Sequence, residues 1–170
     1  VTPLVMRAFF GFAAAVYGRG CFHPTTAVTM ADGTTEEIGQ VQVGARVTTW
    51  DEASNRIIDE VVDGVWRSTG DLYRIHFSNR SVVATADHPF WSTSQNAVVS
   101  LDPEATKGNH GFGEVQLMAE GTRFRAVDGS EVPFVAAELV ARDVPVVTLT
   151  VQDKHWFFAE GVLVHNKFGG

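Results

Sequence analysis

The sequence predicts a mostly β domain, and three observations carry this prediction. Short β-branched segments recur from Thr25–Met30 onward and are separated by polar turn residues. Asp32-Gly33 follows the first of them and precedes a polar return, which is a hairpin signal. Only Glu36–Gln40 and Ala136–Ala141 have any helical character. The 170 residues suit one domain, and a hydrophobic content of 45% is ample for its core.

Further strands are predicted wherever apolar and β-branched residues alternate or cluster. In chain order they are Val41–Trp50, Ile57–Arg67, Leu72–Phe77, Ser81–Thr85, Arg123–Val127, Val132–Phe134, Val144–Val151, Trp156–Ala159 and Val162–Val164. Ser68–Asp71 is predicted to separate two of these strands. Thr93–Gly113 has no periodicity and is predicted to be a surface loop.

An internal similarity indicates a duplicated unit. Val43–Asp51 aligns with Glu120–Asp128, with Gly, Arg and Asp coinciding, and each half ends in a histidine, His88 and His165. The similarity favours a β fold with a pseudo-two-fold repeat. Residues 1–20, with the apolar run Ala8–Tyr17, differ from the rest and are interpreted as a flank, although the run has the length of a signal-peptide core.

Composition excludes several classes of function. A net charge of −7 argues against a nucleic-acid partner, because no basic cluster is present. The single cysteine excludes an internal disulfide and does not indicate the cellular compartment. A secreted or cell-surface host protein is compatible with the sequence. The six histidines lack paired spacing, so neither a metal nor a cofactor is expected. A monomer without a membrane-spanning segment is expected.

The segment Gly161–Asn166 carries the first chemical signal. An Asn side-chain amide can attack its own backbone carbonyl, which forms a succinimide and breaks the peptide bond that follows. The reaction needs a proton donor and a rigid backbone. His165 stands next to Asn166, and the apolar Val162–Val164 predicts a buried strand that would fix the geometry. Taken alone, such a pair usually marks only the end of a strand.

Cys21 carries the second signal, because its thiol can attack the carbonyl of Gly20 and turn the peptide bond into a thioester. Gly20 leaves room for this attack. His88 is suited to protonate the departing amine, and Thr85 could donate to the developing oxyanion. The alternatives are a small buried cysteine, a threonine facing its strand neighbours and a histidine at the turn before Pro89.

In their order and spacing these motifs resemble the Hint family, which comprises inteins, hedgehog processing domains and bacterial intein-like domains. The motifs are Cys21-Phe22 before a β strand, Thr85-Ala86-Asp87-His88-Pro89, Val147–Val151, and His155 followed by Gly161–Asn166. The resemblance is closest to bacterial intein-like domains ending in His-Asn. It implies a horseshoe-shaped all-β fold over residues 21–166, with 1–20 and 167–170 as flanks.

The resemblance also implies roles for individual residues. Cys21, Thr85, His88, His155, His165 and Asn166 would be catalytic, and Gly20, Asp87, Thr148 and Lys167 would be supporting residues. His155 would assist Asn166, although it is also compatible with simply flanking a core strand. The expected activity is a single-turnover self-cleavage in cis, on the chain's own flanks.

Two departures from the family pattern argue against splicing. Thr148 stands where many members carry Asp or Asn, and Lys167 stands where a splicing intein carries Cys, Ser or Thr. A largely protonated lysine is not a nucleophile for transesterification. The alternatives are a release domain for an attached effector, hedgehog-like thioester processing, an inactive scaffold and, last, a papain-like protease.

Overall fold

The computed structural model describes residues 20–165, and twelve strands and one α-helix account for most of them. The strands are β1 Ala27–Thr29, β2 Thr35–Glu37, β3 Arg46–Asp51, β4 Arg56–Phe77, β5 Ser81–Ala84, β6 Phe90–Ser92, β7 Ala97–Ser100, β8 Gln116–Leu117, β9 Arg123–Arg125, β10 Glu131–Val151, β11 Trp156–Ala159 and β12 Val162–His165. The helix is α1, Pro103–His110, and Ile38–Gln40 forms one 3₁₀ turn. The predicted mostly β class is confirmed.

Two long strands organise the molecule. β4 has 22 residues and β10 has 21, and they pair antiparallel from Phe134 opposite Phe77 to Val151 opposite Val62. The predicted break at Ser68–Asp71 and the predicted helix at Ala136–Ala141 are therefore both wrong. Each segment is held extended by hydrogen bonds to the other strand, which override its local preference.

The sheet is open, and its strands follow the order β2-β1-β11-β12-β6-β9-β10-β4-β3. β5 pairs with β4, and β7 pairs with β6 and β8. Every pairing is antiparallel except that of β7 with β8. The hairpin predicted around Asp32-Gly33 is confirmed as β1 and β2, paired from Ala27 opposite Glu37 to Thr29 opposite Thr35.

The N-terminal end of the described chain lies inside the sheet. Phe22 forms bridges to Ala84 of β5 and to Val147 of β10. Its N–H donates to the Val147 carbonyl at 2.8 Å, and its own carbonyl accepts from the Val147 N–H at 2.9 Å. Phe22 is fully buried, with its ring against His88 and Phe157. This pairing fixes the two residues that precede it.

The β11–β12 hairpin positions the C-terminal end of the described chain. Glu160 and Gly161 have φ values of +50° and +76°, the pattern of a type I′ turn, in which the second position strongly favours glycine. Arg80 closes the turn by donating to the Gly161 carbonyl at 3.3 Å. The hairpin pairs Trp156 with His165, so the predicted strands at Trp156–Ala159 and Val162–Val164 are confirmed.

The segment predicted to be a surface loop, Thr93–Gly113, instead contains β7 and α1. Asp102 caps the helix by accepting from the Ala105 N–H at 3.3 Å, Pro103 follows the cap, and Gly111 ends the helix at φ +76°. Thr106 is fully buried, and its hydroxyl lies 2.9 Å from the Asp87 carbonyl. These contacts dock α1 on the segment that carries Asp87 and His88. The predicted flanks, 1–20 apart from Gly20 and 167–170, lie outside the described residues.

Candidate functional site

The Gly20–Cys21 peptide lies in a buried clamp formed by the turn after β5. The Cys21 N–H donates to Thr85 Oγ1 at 3.0 Å, and the Cys21 carbonyl accepts from the Thr85 N–H at 2.9 Å. The cysteine side chain is buried against Leu72 and Val146. These two hydrogen bonds fix the backbone of Cys21, whose nitrogen belongs to the peptide on which a thiol at this position would act.

Asp87 is the centre of the polar network at this peptide. Its carboxylate is fully buried, and Oδ1 accepts from the Gly20 N–H at 3.1 Å and from the Thr85 hydroxyl at 2.7 Å. The other oxygen, Oδ2, accepts from Asn109 at 3.0 Å and faces His110 Nε2 at 3.3 Å. A buried carboxylate is costly unless hydrogen-bonded, and these four donors satisfy it. The Thr85 hydroxyl proton is directed at Asp87, so Thr85 faces Cys21 as an acceptor.

His88 connects the two ends of the described chain. Its Nε2 lies 3.0 Å from the His165 carbonyl oxygen. A carbonyl can only accept, so Nε2 carries the proton, and a neutral ring then has its lone pair on Nδ1. Nδ1 has no hydrogen-bond partner among the described residues and lies 3.3 Å from the point that a Cβ on Gly20 would occupy. One imidazole therefore reaches both ends.

Burial lowers the pKa of His88 from 6.5 to about 3, and the nearby His110 and His165 rings contribute to this shift. Polar backbone groups of Gly20 and His165 oppose it but are weaker than the desolvation. The ring is packed against Phe22 at 4.2 Å and Phe90 at 5.5 Å between centroids. His88 is therefore neutral at physiological pH, with Nδ1 facing Gly20.

His165 lies in an aromatic cage. Its ring is nearly buried and packs edge-on against Trp156 at 4.8 Å and Phe112 at 5.1 Å between centroids. His155 stacks on it at 6.0 Å with an interplanar angle of 12°. His155 is exposed and has φ +68°, which few non-glycine residues adopt. The structure thus brings the two histidines together, while Asn166 and Lys167 lie outside the described residues.

Thr148 lies near the C-terminal end of β10, opposite Trp66. It is fully buried, and its hydroxyl has no hydrogen-bond partner in the described part of the chain. It lies two residues from Val146, which contacts Cys21, and therefore on the same face of the strand. A hydroxyl left unsatisfied in a core is unfavourable, which marks this position as unusual.

Two residues of the network were missed by the sequence analysis, Asn109 and His110 on the last turn of α1. A signal for the helix was present. Asp102-Pro103 is a typical helix start and Gly111 a typical end. Recognising these caps would have placed His110 on a helix, although not next to Asp87.

Residues 20–165 contain no cluster of three or more His, Cys, Asp or Glu side chains placed to bind a metal ion. They also contain no helix that is long and apolar enough to cross a membrane.

Comparison with known proteins reveals similarity in structure but not in sequence. No family model matches the chain, and no curated protein matches it. Among solved structures, the bacterial intein-like domain from Clostridium thermocellum superposes with a TM-score of 0.69 at 20% identity, covering 86% of this chain and 98% of that one. A DnaB intein from Synechocystis sp. PCC 6803 gives 0.69 at 18% identity, with 87% and 99% covered.

The gp41-1 intein is similar to the same degree, with a TM-score of 0.65 at 18% identity, covering 86% of this chain and 98% of that one. Each of these domains is covered almost completely, so the likeness concerns a whole fold and not a shared hairpin. The predicted fold is confirmed: the chain has the Hint fold of inteins and bacterial intein-like domains.

Proposed function

We propose that this domain cuts its own chain at two places, the Gly20–Cys21 peptide (the N-terminal junction) and the Asn166–Lys167 peptide (the C-terminal junction). The observation that carries the proposal is the position of His88. Its Nε2–H binds the carbonyl of His165, one residue before Asn166, and its Nδ1 faces Gly20. A purely structural histidine needs no such bridge between two potential cleavage sites. The fold shared with inteins supports the same function.

At the N-terminal junction the Cys21 sulfur attacks the Gly20 carbonyl carbon. An S–C bond forms, the C–N bond breaks, and the proton lost by the thiol ends on the freed amine, so the step is a balanced isomerisation. His88 Nδ1, neutral and unpartnered, is suited to carry this proton. Thr85 holds the nitrogen that leaves. Water or an added thiol then releases residues 1–20 from the thioester.

At the C-terminal junction the side-chain nitrogen of Asn166 attacks its own carbonyl carbon. An N–C bond closes the succinimide, the C–N bond to Lys167 breaks, and the proton lost by the attacking nitrogen balances the one gained by the freed amine. His165 precedes the reacting residue, and its carbonyl is held by His88. His155 stacks on the His165 ring and can exchange a proton with solvent because it is exposed. These two histidines are suited to supply the proton that the departing amine needs.

The two cuts are proposed to occur with little or no splicing. Lys167 offers no side-chain nucleophile to receive residues 1–20 from the thioester. Thr148 is buried and neutral, so it supplies no charge to couple one step to the other. Each cut therefore acts as a release of the adjoining flank.

The test is intact mass over time on freshly purified protein, with and without dithiothreitol, beside Cys21→Ala and Asn166→Ala variants. Loss of residues 1–20 that is accelerated by thiol and abolished in Cys21→Ala supports the thioester. Loss of Lys167–Gly170 that is abolished only in Asn166→Ala supports Asn cyclisation. A chain that remains whole under every condition would overturn the proposal and leave an inactive Hint scaffold.

A further inference from the structure

The space in front of Gly20 is filled by His110. A Cβ built on Gly20 would lie 2.5 Å from Cε1 and 2.7 Å from Nε2 of the His110 ring, distances that real Cβ atoms essentially never show. Gly20 also has φ +66°, a conformation that other residues rarely adopt. Glycine is thus favoured at position 20 for two separate reasons, of which only one depends on His110.

The His110 ring cannot easily move away. Its side chain is only 5% exposed, and Nε2 lies 3.3 Å from the fully buried Asp87 carboxylate. The ring also packs against Phe112 at 6.4 Å between centroids. The helix that carries it is docked through Thr106 to the backbone of Asp87. Rotating the ring to admit a side chain would leave Asp87 with three donors.

We propose that His110 determines which residue the domain accepts before the cysteine, by filling the space of any side chain at position 20. This inference rests on the proposed cleavage at Gly20–Cys21 and adds a specificity to it. The accepted N-terminal flank ends in glycine. Removing the His110 ring removes the two closest contacts of an alanine Cβ, while the 3.3 Å approach to His88 Nδ1 and the positive φ remain unfavourable.

A double-mutant cycle separates the two causes. The rate of thiol-dependent release of residues 1–20 is measured for Gly20→Ala in the parent, His110→Ala and Asn109→Ala proteins. Asn109→Ala is the matched control, because it also removes one donor to Asp87 Oδ2 but leaves the ring over Gly20. We expect Gly20→Ala to slow release about 100-fold in the parent and in Asn109→Ala, but about tenfold or less in His110→Ala.

A second arm does not depend on any cleavage. In a Cys21→Ala background, which cannot form the thioester, urea unfolding gives the unfolding constant of the same combinations. Gly20→Ala is expected to raise that constant about tenfold more when His110 is present than when it is alanine. The Asn109→Ala background is expected to behave like the parent.

The outcomes distinguish the two proposals. If the parent releases nothing with thiol, the proposed cleavage at Gly20–Cys21 fails, and the unfolding cycle alone decides whether His110 excludes a side chain. Equal effects of Gly20→Ala with and without the His110 ring, in whichever arms can be measured, would overturn the inference and assign the glycine requirement to its backbone conformation. The inference would also be overturned if Asn109→Ala reduced the effect of Gly20→Ala as much as His110→Ala does. Loss of one donor to Asp87 would then be enough to explain the result.

Discussion

At the N-terminal junction buried side chains hold the backbone by hydrogen bonds, whereas near the C-terminal junction aromatic rings surround the side chain of His165. Gly20 and Cys21 make backbone hydrogen bonds to Asp87 and Thr85, all inside the core. The His165 backbone donates to the Pro89 carbonyl at 3.1 Å and accepts from His88 Nε2 at 3.0 Å, and its side chain is surrounded by aromatic groups.

The difference matches what each of the two proposed reactions would require of the protein. Thioester formation acts on a peptide bond, so the backbone itself must be oriented, and hydrogen bonds do this directionally. Asn cyclisation needs a neighbouring imidazole to be oriented, and ring packing does this without using the nitrogen atoms. A substitution near one junction should therefore slow mainly the cleavage at that junction. A substitution of His88 should slow both cleavages.

Asp87→Ala is expected to have the largest effect. It removes the shared acceptor of two buried and two part-buried donors, so the free energy of unfolding should fall by about 3 to 5 kcal/mol. N-terminal release should be lost while C-terminal cleavage continues at a reduced rate, as followed by intact mass below the unfolding temperature. Asp87→Asn, which keeps the shape, is the control. Equal loss of both cleavages in that variant would contradict the comparison.

His88→Asn should slow both cleavages and change the response to acid. Because the pKa of His88 is lowered from 6.5 to about 3, the unfolded chain binds a proton in this window that the folded chain does not. Stability from this group is therefore present above pH 6.5 and is lost as the pH falls towards 3, by about 3 kcal/mol at pH 4. Urea unfolding at pH 7, 5 and 4 should reveal a smaller acid loss in the variant. The same loss in both proteins would refute this.

Trp156→Leu should affect the C-terminal junction alone. It removes the edge-to-face contact with His165, and such contacts are worth about 1 kcal/mol. Loss of Lys167–Gly170 should slow about fivefold, with thiol-dependent release of residues 1–20 unchanged. Trp156→Phe, which keeps an aromatic ring, should slow it less. A slower release at the N-terminal junction would show that the two sides are not separable here.

Thr148→Val should have the smallest effect, on stability. It replaces a buried, unpartnered hydroxyl with a methyl group, so the free energy of unfolding should rise by up to about 1 kcal/mol. Thr150→Val is the matched control, because the Thr150 hydroxyl accepts from Trp66 Nε1 at 2.7 Å and its loss should destabilise. Denaturant midpoints measure both. A loss of stability in Thr148→Val would mean that the hydroxyl is used.

The fold was predictable because its signals are local or ordered along the chain. The β-branched segments, the Asp32-Gly33 turn and the Cys21 and Asn166 motifs could all be recognised without knowing which strands pair. The long strands β4 and β10 were not predicted as continuous. Their polar middle segments are held extended by each other, and a single sequence does not reveal that pairing.

The site was predictable in its residue types but not in its connections. Thr85, Asp87 and His88 come from one short motif, whereas the bond from His88 to His165 spans 77 residues. His110 lies on a helix whose caps were readable, but its place over Gly20 depends on how that helix docks. Contacts of this kind are decided by tertiary packing and leave no local pattern.

The insertion of Phe22 between β5 and β10 has a consequence for timing. Its partner Val147 lies more than a hundred residues further along the chain, so a ribosome has almost finished the domain before the pairing can form. At typical synthesis rates of about 5 to 20 residues per second, this delay is on the order of ten seconds. If the proposed cleavage occurs, a nascent chain is not cut at Gly20–Cys21 early, because the structure that holds this peptide is incomplete until translation has passed β10.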